Sequence, residues 1–244
     1  MSRFIKCIDK HIEITPPEST KKITGTRFAS VLGKNRWSTP FEMWCAITRT
    51  YEAPFEGNMY TKAGSTIEPK QAAYIEKTLG TSIVKPSDIY GDISLEDIKG
   101  DFFSSESKIL GGMWDYLGKD ENGNVDTVFE MKTTKRRDDW ATDIPEHYAL
   151  QGALYAYLKG VDNVTMVCSF LKDTDYERPT DFEPTADNTI IKTFKVSERY
   201  PNFSELVTYA KDWWYSYVEK GISPNYNVVR DAKILKEIRR IYGI

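Results

Sequence analysis

A chain of 244 residues is long enough to bury one substantial core, and an evenly scattered 40% hydrophobic and 28% charged composition excludes a disordered or fibrous protein. The formal net charge of −3 weighs against a generic nucleic-acid coating protein, although an acidic chain can still carry a basic groove. No run approaches the roughly 20 apolar residues that span a bilayer and the start lacks the apolar stretch of a secretion signal, so no membrane partner is expected and the compartment read from the sequence is the cytoplasm.

The first twenty residues, with Pro16 and Pro17 among them, read as an irregular arm. A short helix follows from Arg27 to Leu32, capped by Thr24 or Thr26 and stopped by Gly33. Ser38 or Thr39 caps a second helix, with Pro40 early in it and Phe41, Trp44, Cys45 and Ile47 along one side. Residues 61 to 79 carry the interrupted apolar stripe of a third, which Gly80 ends. The segments Lys108 to Leu117 and Asp126 to Thr134, joined by a Gly/Asn-rich turn, form a hairpin. Then come a helix from about Pro145 to Lys159, a strand from Val164 to Leu171, a polar loop, a strand from Ile190 to Val196 and a long helix capped by Ser204. In that last helix Trp213 follows helical spacing with Leu206, Ala210 and Tyr217 and reads as core. A basic helical segment from Lys233 to Tyr242 closes the chain. This order predicts an α/β (α+β) class with a central mixed sheet flanked by helices. It divides into an arm (1–22), one domain (23–225) and a tail (226–244).

Chemistry concentrates on the hairpin. The two-residue period of a strand points Glu130 and Lys132 to one face, and Phe129 and Met131 to the other. Asp115, on the preceding segment, can be folded against Glu130 through the Asn122-Gly123 turn. Carboxylates held close repel unless a divalent cation neutralises them. Phosphodiester hydrolysis needs such a cation, with a nearby ammonium to orient water or steady developing charge. Asp115 and Glu130 are therefore the expected metal ligands, with the Met131 backbone carbonyl as a third and Lys132 as the ammonium. Two histidines, His11 and His147, cannot build a histidine-rich zinc centre. Cys7, Cys45 and Cys168 lack a CxxC pairing and read as reduced thiols. Oxygen ligands favour Mg2+, with Mn2+ as the alternative. The bland reading of the same residues is the solvated face of an ordinary hairpin with a cross-strand ion pair.

Further motifs carry a resemblance. Ile23-Thr24-Gly25-Thr26-Arg27-Phe28-Ala29-Ser30-Val31-Leu32-Gly33-Lys34-Asn35, then Trp37, Thr39-Pro40 and Phe41-Glu42-Met43-Trp44, precede Ala63-Gly64-Ser65-Thr66-Ile67-Glu68-Pro69. Gly112-Met113-Trp114-Asp115, Val128-Phe129-Glu130-Met131-Lys132-Thr133-Thr134 and Ile144-Pro145-Glu146-His147-Tyr148-Ala149-Leu150-Gln151 follow in order. From about residue 23 to about 225 the chain resembles the lambda-exonuclease and YqaJ-type viral recombinase family of the PD-(D/E)XK nucleases. The resemblance implies the restriction-endonuclease-like core of that superfamily and 5′-to-3′ digestion of duplex DNA ends in phage-type recombination. It also implies a single-strand annealing protein as partner, a homo-trimeric ring, and a phage or prophage origin. On it, Glu68 and Gln151 join Asp115, Glu130 and Lys132 at the catalytic centre. The family's arginine for a terminal phosphate has no match in Pro17 to Lys22, which leaves Lys21, Lys22 and Arg27 as substitutes. Thr26, Thr133, Tyr148 and the basic run Lys135, Arg136 and Arg137 are further candidate DNA contacts, with Trp37 as a wedge at a DNA end. A structure-selective or nicking endonuclease, and a non-catalytic DNA- or protein-binding module, are the alternatives on the same fold.

Overall fold

The computed structural model describes residues 4–54, 58–91, 100–103 and 105–244. In place of the expected irregular arm, the chain opens on an antiparallel hairpin of β1 (Ile5–Ile8) and β2 (His11–Ile14), turned at Asp9 with φ 47°. Its apolar residues alternate, and Ile12 and Ile14 are buried. The far edge of β2 is completed by distant backbone: the Ile14 amide donates to the Gly221 carbonyl and the Ser223 amide to the Ile12 carbonyl, both at 2.8 Å. Strands this short, completed by chain more than 200 positions away, leave little local pattern to read.

β3 (Ile23–Thr24) leads into α1 (Gly25–Val31), α2 (Pro40–Ile47) and α3 (Met59–Leu79). Of the two offered caps, Thr39 heads α2, its hydroxyl accepting from the Glu42 amide at 3.0 Å. α3 begins slightly earlier than the sequence predicts because Asn58 accepts from the amides of Tyr60 and Thr61, and it ends where Gly80 turns left-handed. β4 (Ile83–Val84) and α4 (Pro86–Tyr90) precede β5 (Leu110–Gly111), β6 (Tyr116–Lys119) and β7 (Val125–Thr134). The strand expected over Lys108 to Leu117 is thus split. Leu110 and Gly111 pair parallel with β3, and the chain joins β7 only from Tyr116. Gly112, at φ 134°, makes the break, and a Cβ there would stand 2.6 Å from the Tyr155 ring.

The remainder follows the expected order, with the short helices α6 and α7 added to it: α5 (Glu146–Lys159), β8 (Asn163–Phe170), α6 (Asp173–Glu177), β9 (Thr189–Lys195), α7 (Val196–Arg199), α8 (Phe203–Trp213) and α9 (Ala232–Tyr242). Ser204 does not cap α8; it lies in the first turn, and Asn202 stands at the cap. The central sheet runs β4-β6-β7-β8-β9, antiparallel throughout except for the parallel pair β7 and β8. This is the mixed sheet the sequence predicts. One face, through Val128, Met166 and Cys168, packs with Phe28, Trp44, Leu150, Leu154 and Trp213 of the surrounding helices. The other, through Phe129, Met131 and Val167, receives Ala72 and Ile75 of α3. Ile12, Ile14, Tyr226, Leu235 and Ile238 from both ends of the chain share the first of these cores. Among the described residues no helix is long and apolar enough to cross a membrane.

The C-terminal segment is tied in by polar contacts as well. Asp231, almost wholly buried, accepts from the Thr39 hydroxyl and from the Asn227 amide, each at 2.6 Å. Thr39→Ala removes a helix cap and strips a buried carboxylate of one donor, so it should cost about 1–3 kcal/mol of stability. Thr39→Ser should retain most of it. Thermal melts of the three proteins check this, and equal melting temperatures would show that the contact contributes nothing.

Candidate active site

Strand register brings the hairpin carboxyls together. The last recorded β6–β7 pair is Tyr116 with Phe129, so one step further along the same antiparallel register Asp115 faces Glu130. Asp115 sits just ahead of β6 rather than inside a strand, and its Oδ2 accepts from the Met131 amide at 2.6 Å. That bond takes the place of the ladder bond that a β6 residue would have made. Glu130 is fully buried. Its Oε2 accepts from the Lys132 ammonium at 2.9 Å and from the Gln151 amide at 2.8 Å. Lys132 Nζ also lies 3.8 Å from Asp115 Oδ2.

Gln151 reaches Glu130 because α5 packs on the same sheet face as Glu130 and Lys132. Tyr148, three residues earlier, holds its ring 5.7 Å from Lys132 Nζ. From the other side α3 contributes Glu68, whose carboxyl lies in the neighbourhood of Tyr116 and Asp115. An open cleft of about 200 Å³ is lined by Thr61, Gly64, Ser65, Glu68, Gln71, Asp115, Met131, Lys132 and Thr133. The structure therefore brings together the five expected catalytic residues, with Met131 and Thr133 alongside.

Charge in this cluster is out of balance. Burial first, and then the charge of Asp115, lift Glu130 to about 8 and Glu68 to about 7, against the opposing pull of Lys132. Burial pulls Lys132 down, but the charges of Glu130 and Asp115 outweigh it and hold the ammonium above the ordinary lysine range. Carboxyls outnumber the ammonium they share, so the fold favours a proton on one of them unless another cation is at hand.

Glu130 Oε1 is buried without a hydrogen-bond partner in the protein. An acceptor left bare in a buried site, beside a second carboxylate, fits a hard divalent cation held by one or two carboxylates and water. Asp115 and Glu130 would hold it, with the Met131 carbonyl as the further oxygen. Among the described residues there is no group of three or more His, Cys, Asp and Glu placed to hold a metal ion, so an ion here would rely on that carbonyl and on water.

One residue escaped the sequence reading. Gln71 of α3, nearly fully buried, donates to the Lys132 carbonyl and to Ser169 Oγ, both at 2.9 Å. It fastens α3, and with it Glu68, to the catalytic strand. Its position three residues after Glu68, one turn along the same helix face, was the available signal.

The other expected contacts are dispersed. Arg136 lies over the Trp37 indole at 4.1 Å, outside the cleft. Lys135 pairs with Asp173, and the Arg137 guanidinium donates to the Asp187 carbonyl. Lys22 is committed inward, to Asp101 and to the Ser107 carbonyl at 2.5 Å each. Lys21 pairs with Glu52, and Arg27 donates to the Lys22 carbonyl at 3.0 Å. Thr26 and Arg27 line a separate hollow with Glu42, Glu52 and Ile234. Of the three basic substitutes for a terminal-phosphate contact, none reaches the Asp115 cleft.

Residues 18–162 match the model of the YqaJ-like viral recombinase domain. The chain belongs to that family. It is 28% identical to the uncharacterized protein MG373 of Mycoplasma genitalium, over 89% of this chain and 87% of that one. It is 26% identical to the homolog in Mycoplasma pneumoniae, over 84% of each. Among solved structures it is similar to LHK-Exo, an alkaline exonuclease from Laribacter hongkongensis (TM-score 0.54, 16% identity, 91% of this chain and 94% of that one). It is also similar to a phage-related exonuclease from Haemophilus somnus (TM-score 0.50, 15% identity, 80% and 94%). Identities this low establish a shared fold. The opening motif and the hairpin, on which the YqaJ-type resemblance was read, both lie within the matched residues.

The displaced pKa of Glu130 has a consequence for stability. A carboxyl raised from about 4.5 unfolded to about 8 folded stabilises the fold fully below the lower value and loses that contribution as pH rises through the upper one. Metal-free protein should therefore melt at progressively lower temperature across that window. Glu130→Gln should flatten the decline and melt above the wild type at pH values beyond about 8. A variant that melts below the wild type there would show that the buried charge is not the source of the strain.

Proposed function

We propose that this chain is a divalent-metal-dependent exodeoxyribonuclease that digests duplex DNA from an end. The observation that carries the reading is the buried Glu130, bonded on one oxygen by Lys132 and Gln151 and bare on the other, with Asp115 beside it at the floor of an open cleft. Membership of the YqaJ-like recombinase family supports it, as does a fold shared with an alkaline exonuclease and a phage-related exonuclease. The family resemblance extends the proposal to 5′-to-3′ polarity, a role in recombination and an annealing partner.

Mg2+ on Asp115 and Glu130 would polarise the phosphoryl oxygen and acidify a water. The protein's own groups do the rest. Lys132 presents a fixed ammonium to the phosphate, where negative charge grows as the phosphorus–oxygen bond is made. Gln151 donates to Glu130 Oε2 and so limits the rotation of the carboxylate, whose Oε1 has no partner in the protein. Glu68, raised to about 7, can take up a proton at neutral pH. Gln71 keeps the helix that carries Glu68 in register with the strand.

Linear and covalently closed circular duplexes incubated with Mg2+ test the reading. Loss of the linear DNA alone is the expected result; cleavage of the circle would make the enzyme an endonuclease, and no cleavage of either would refute a nuclease. Lys132→Ala should lower the rate at least about a hundredfold, with an unchanged circular-dichroism spectrum. A variant of near wild-type rate would remove Lys132 from the chemistry.

A further inference from the structure

The C-terminal helix α9 lies beyond residues 18–162, so membership of the family assigns it no role. Its two sides differ in chemistry. Leu235 and Ile238 are buried in the main core, while Lys233, Lys236, Arg239 and Arg240 are exposed around the single acid Glu237. A basic amphipathic helix can dock on a membrane or in a partner's groove through its apolar side. Here the fold has taken that side, so the face left open is the charged one, and its chemistry suits a polyanion.

The positive charge on this face is uncommitted. Glu237 accepts from Arg240 at 2.9 Å, which leaves Lys233, Lys236 and Arg239 without an ion pair among the described residues. They follow one another at three-residue intervals along one side of the helix. Six residues of helix rise about 9 Å, and one strand of B-DNA carries a phosphate about every 3.4 Å, so the row spans about three phosphates.

Cations expected to meet DNA are engaged elsewhere. Lys22 is held by Asp101, Lys21 by Glu52, Lys135 by Asp173 and Arg36 by Asp139. The cleft sets three carboxyls around one ammonium, in a chain whose net charge is −3. Such a surface repels a duplex unless positive charge is concentrated where the double strand lies.

The head of α9 stands close to the site. The Arg230 guanidinium, just ahead of the helix, reaches the Arg36 carbonyl at 3.2 Å, in the loop between α1 and α2. Ile234, in the first turn of α9, lines a hollow with Thr26 and Arg27 at the start of α1. A Cβ on the preceding Gly25 would stand 2.8 Å from Gln151 Cγ, in the side chain that is bonded to Glu130. The start of α1 thus borders the catalytic centre on one side and α9 on the other.

We infer that the outer face of α9 is a docking surface for the phosphate backbone of duplex DNA, and that it holds the double-stranded part of the substrate while the end lies in the Lys132 cleft. The inference rests on the nuclease reading for the identity of the polymer. Contacts of this kind carry no sequence preference and weaken steeply with salt.

Full-length protein carrying Lys132→Ala, in Mg2+, is titrated with a blunt duplex over a series of salt concentrations. Adding Lys233→Gln, Lys236→Gln and Arg239→Gln together should lower the affinity at least about tenfold and reduce the slope of log affinity against log salt by about 2 to 3. The charge-retaining set Lys233→Arg, Lys236→Arg and Arg239→Lys should keep both. Removing the same amount of charge elsewhere, through Lys77→Gln, Lys119→Gln and Lys220→Gln, should leave the slope nearly unchanged. An unaltered slope in the α9 variant, or an equal loss in the second set, overturns the surface. A poly-glutamate peptide that binds more tightly than the duplex, and is lost with the α9 charges, makes the face a site for an acidic protein and overturns the DNA assignment. Hydrolysis by the chain with Lys132 intact is measured separately: DNA cut without an α9-dependent slope defeats the surface alone, and an α9-dependent slope without hydrolysis leaves the surface standing and defeats the nuclease.

Discussion

The site depends on one electrostatic constraint: Asp115, Glu130 and Glu68 share the neighbourhood of the Lys132 ammonium, and Glu130 is fully buried. Two of the three carboxyls are pushed toward or past neutrality by burial and by the charge of Asp115. An ion pair between Glu130 and Lys132 cannot satisfy the cluster, because one Glu130 oxygen remains bare. Buried carboxylates are tolerated where a cation or a proton neutralises them. The excess of acid over base is therefore a demand for positive charge, which the proposed divalent ion would meet.

The fold around the cluster serves to hold that demand in place. β7 supplies Glu130 and Lys132 from a strand paired to β8 along its length. Past Tyr116, where β6 gives out, the Asp115 side chain takes over the bond to the Met131 amide. α5 approaches from one face with Gln151, and α3 from the other with Glu68 and Gln71. Each helix is thus joined to β7 by a side-chain amide. Losing Gln151 would strip Glu130 Oε2 of one donor, and losing Gln71 would loosen the helix that carries Glu68.

Much of this was legible in the sequence, because the signals were local. The Glu-x-Lys alternation on β7, the Gly80 helix end and the apolar run of β8 each follow from a few adjacent residues. What was missed depends on distant chain. Ile12 and Ile14 form a strand because residues 221 to 223 complete its edge. Lys108 to Leu117 looked like one strand, but Tyr155 crowds Gly112 and Ile23 claims Leu110 as its partner. Lys22 looked available to DNA, and Asp101, 79 positions on, occupies it. Gln71 is polar in a helix of mixed composition; its place one turn after Glu68 was a faint local signal, and its burial against Lys132 and Ser169 is what gives it a role.

The most direct measurement of the central claim is the anomalous scattering from crystals soaked in Mn2+. The account predicts a peak between the Asp115 carboxylate and Glu130 Oε1, absent from crystals of Asp115→Asn. A peak elsewhere, or none in crystals of the wild-type protein, would contradict it.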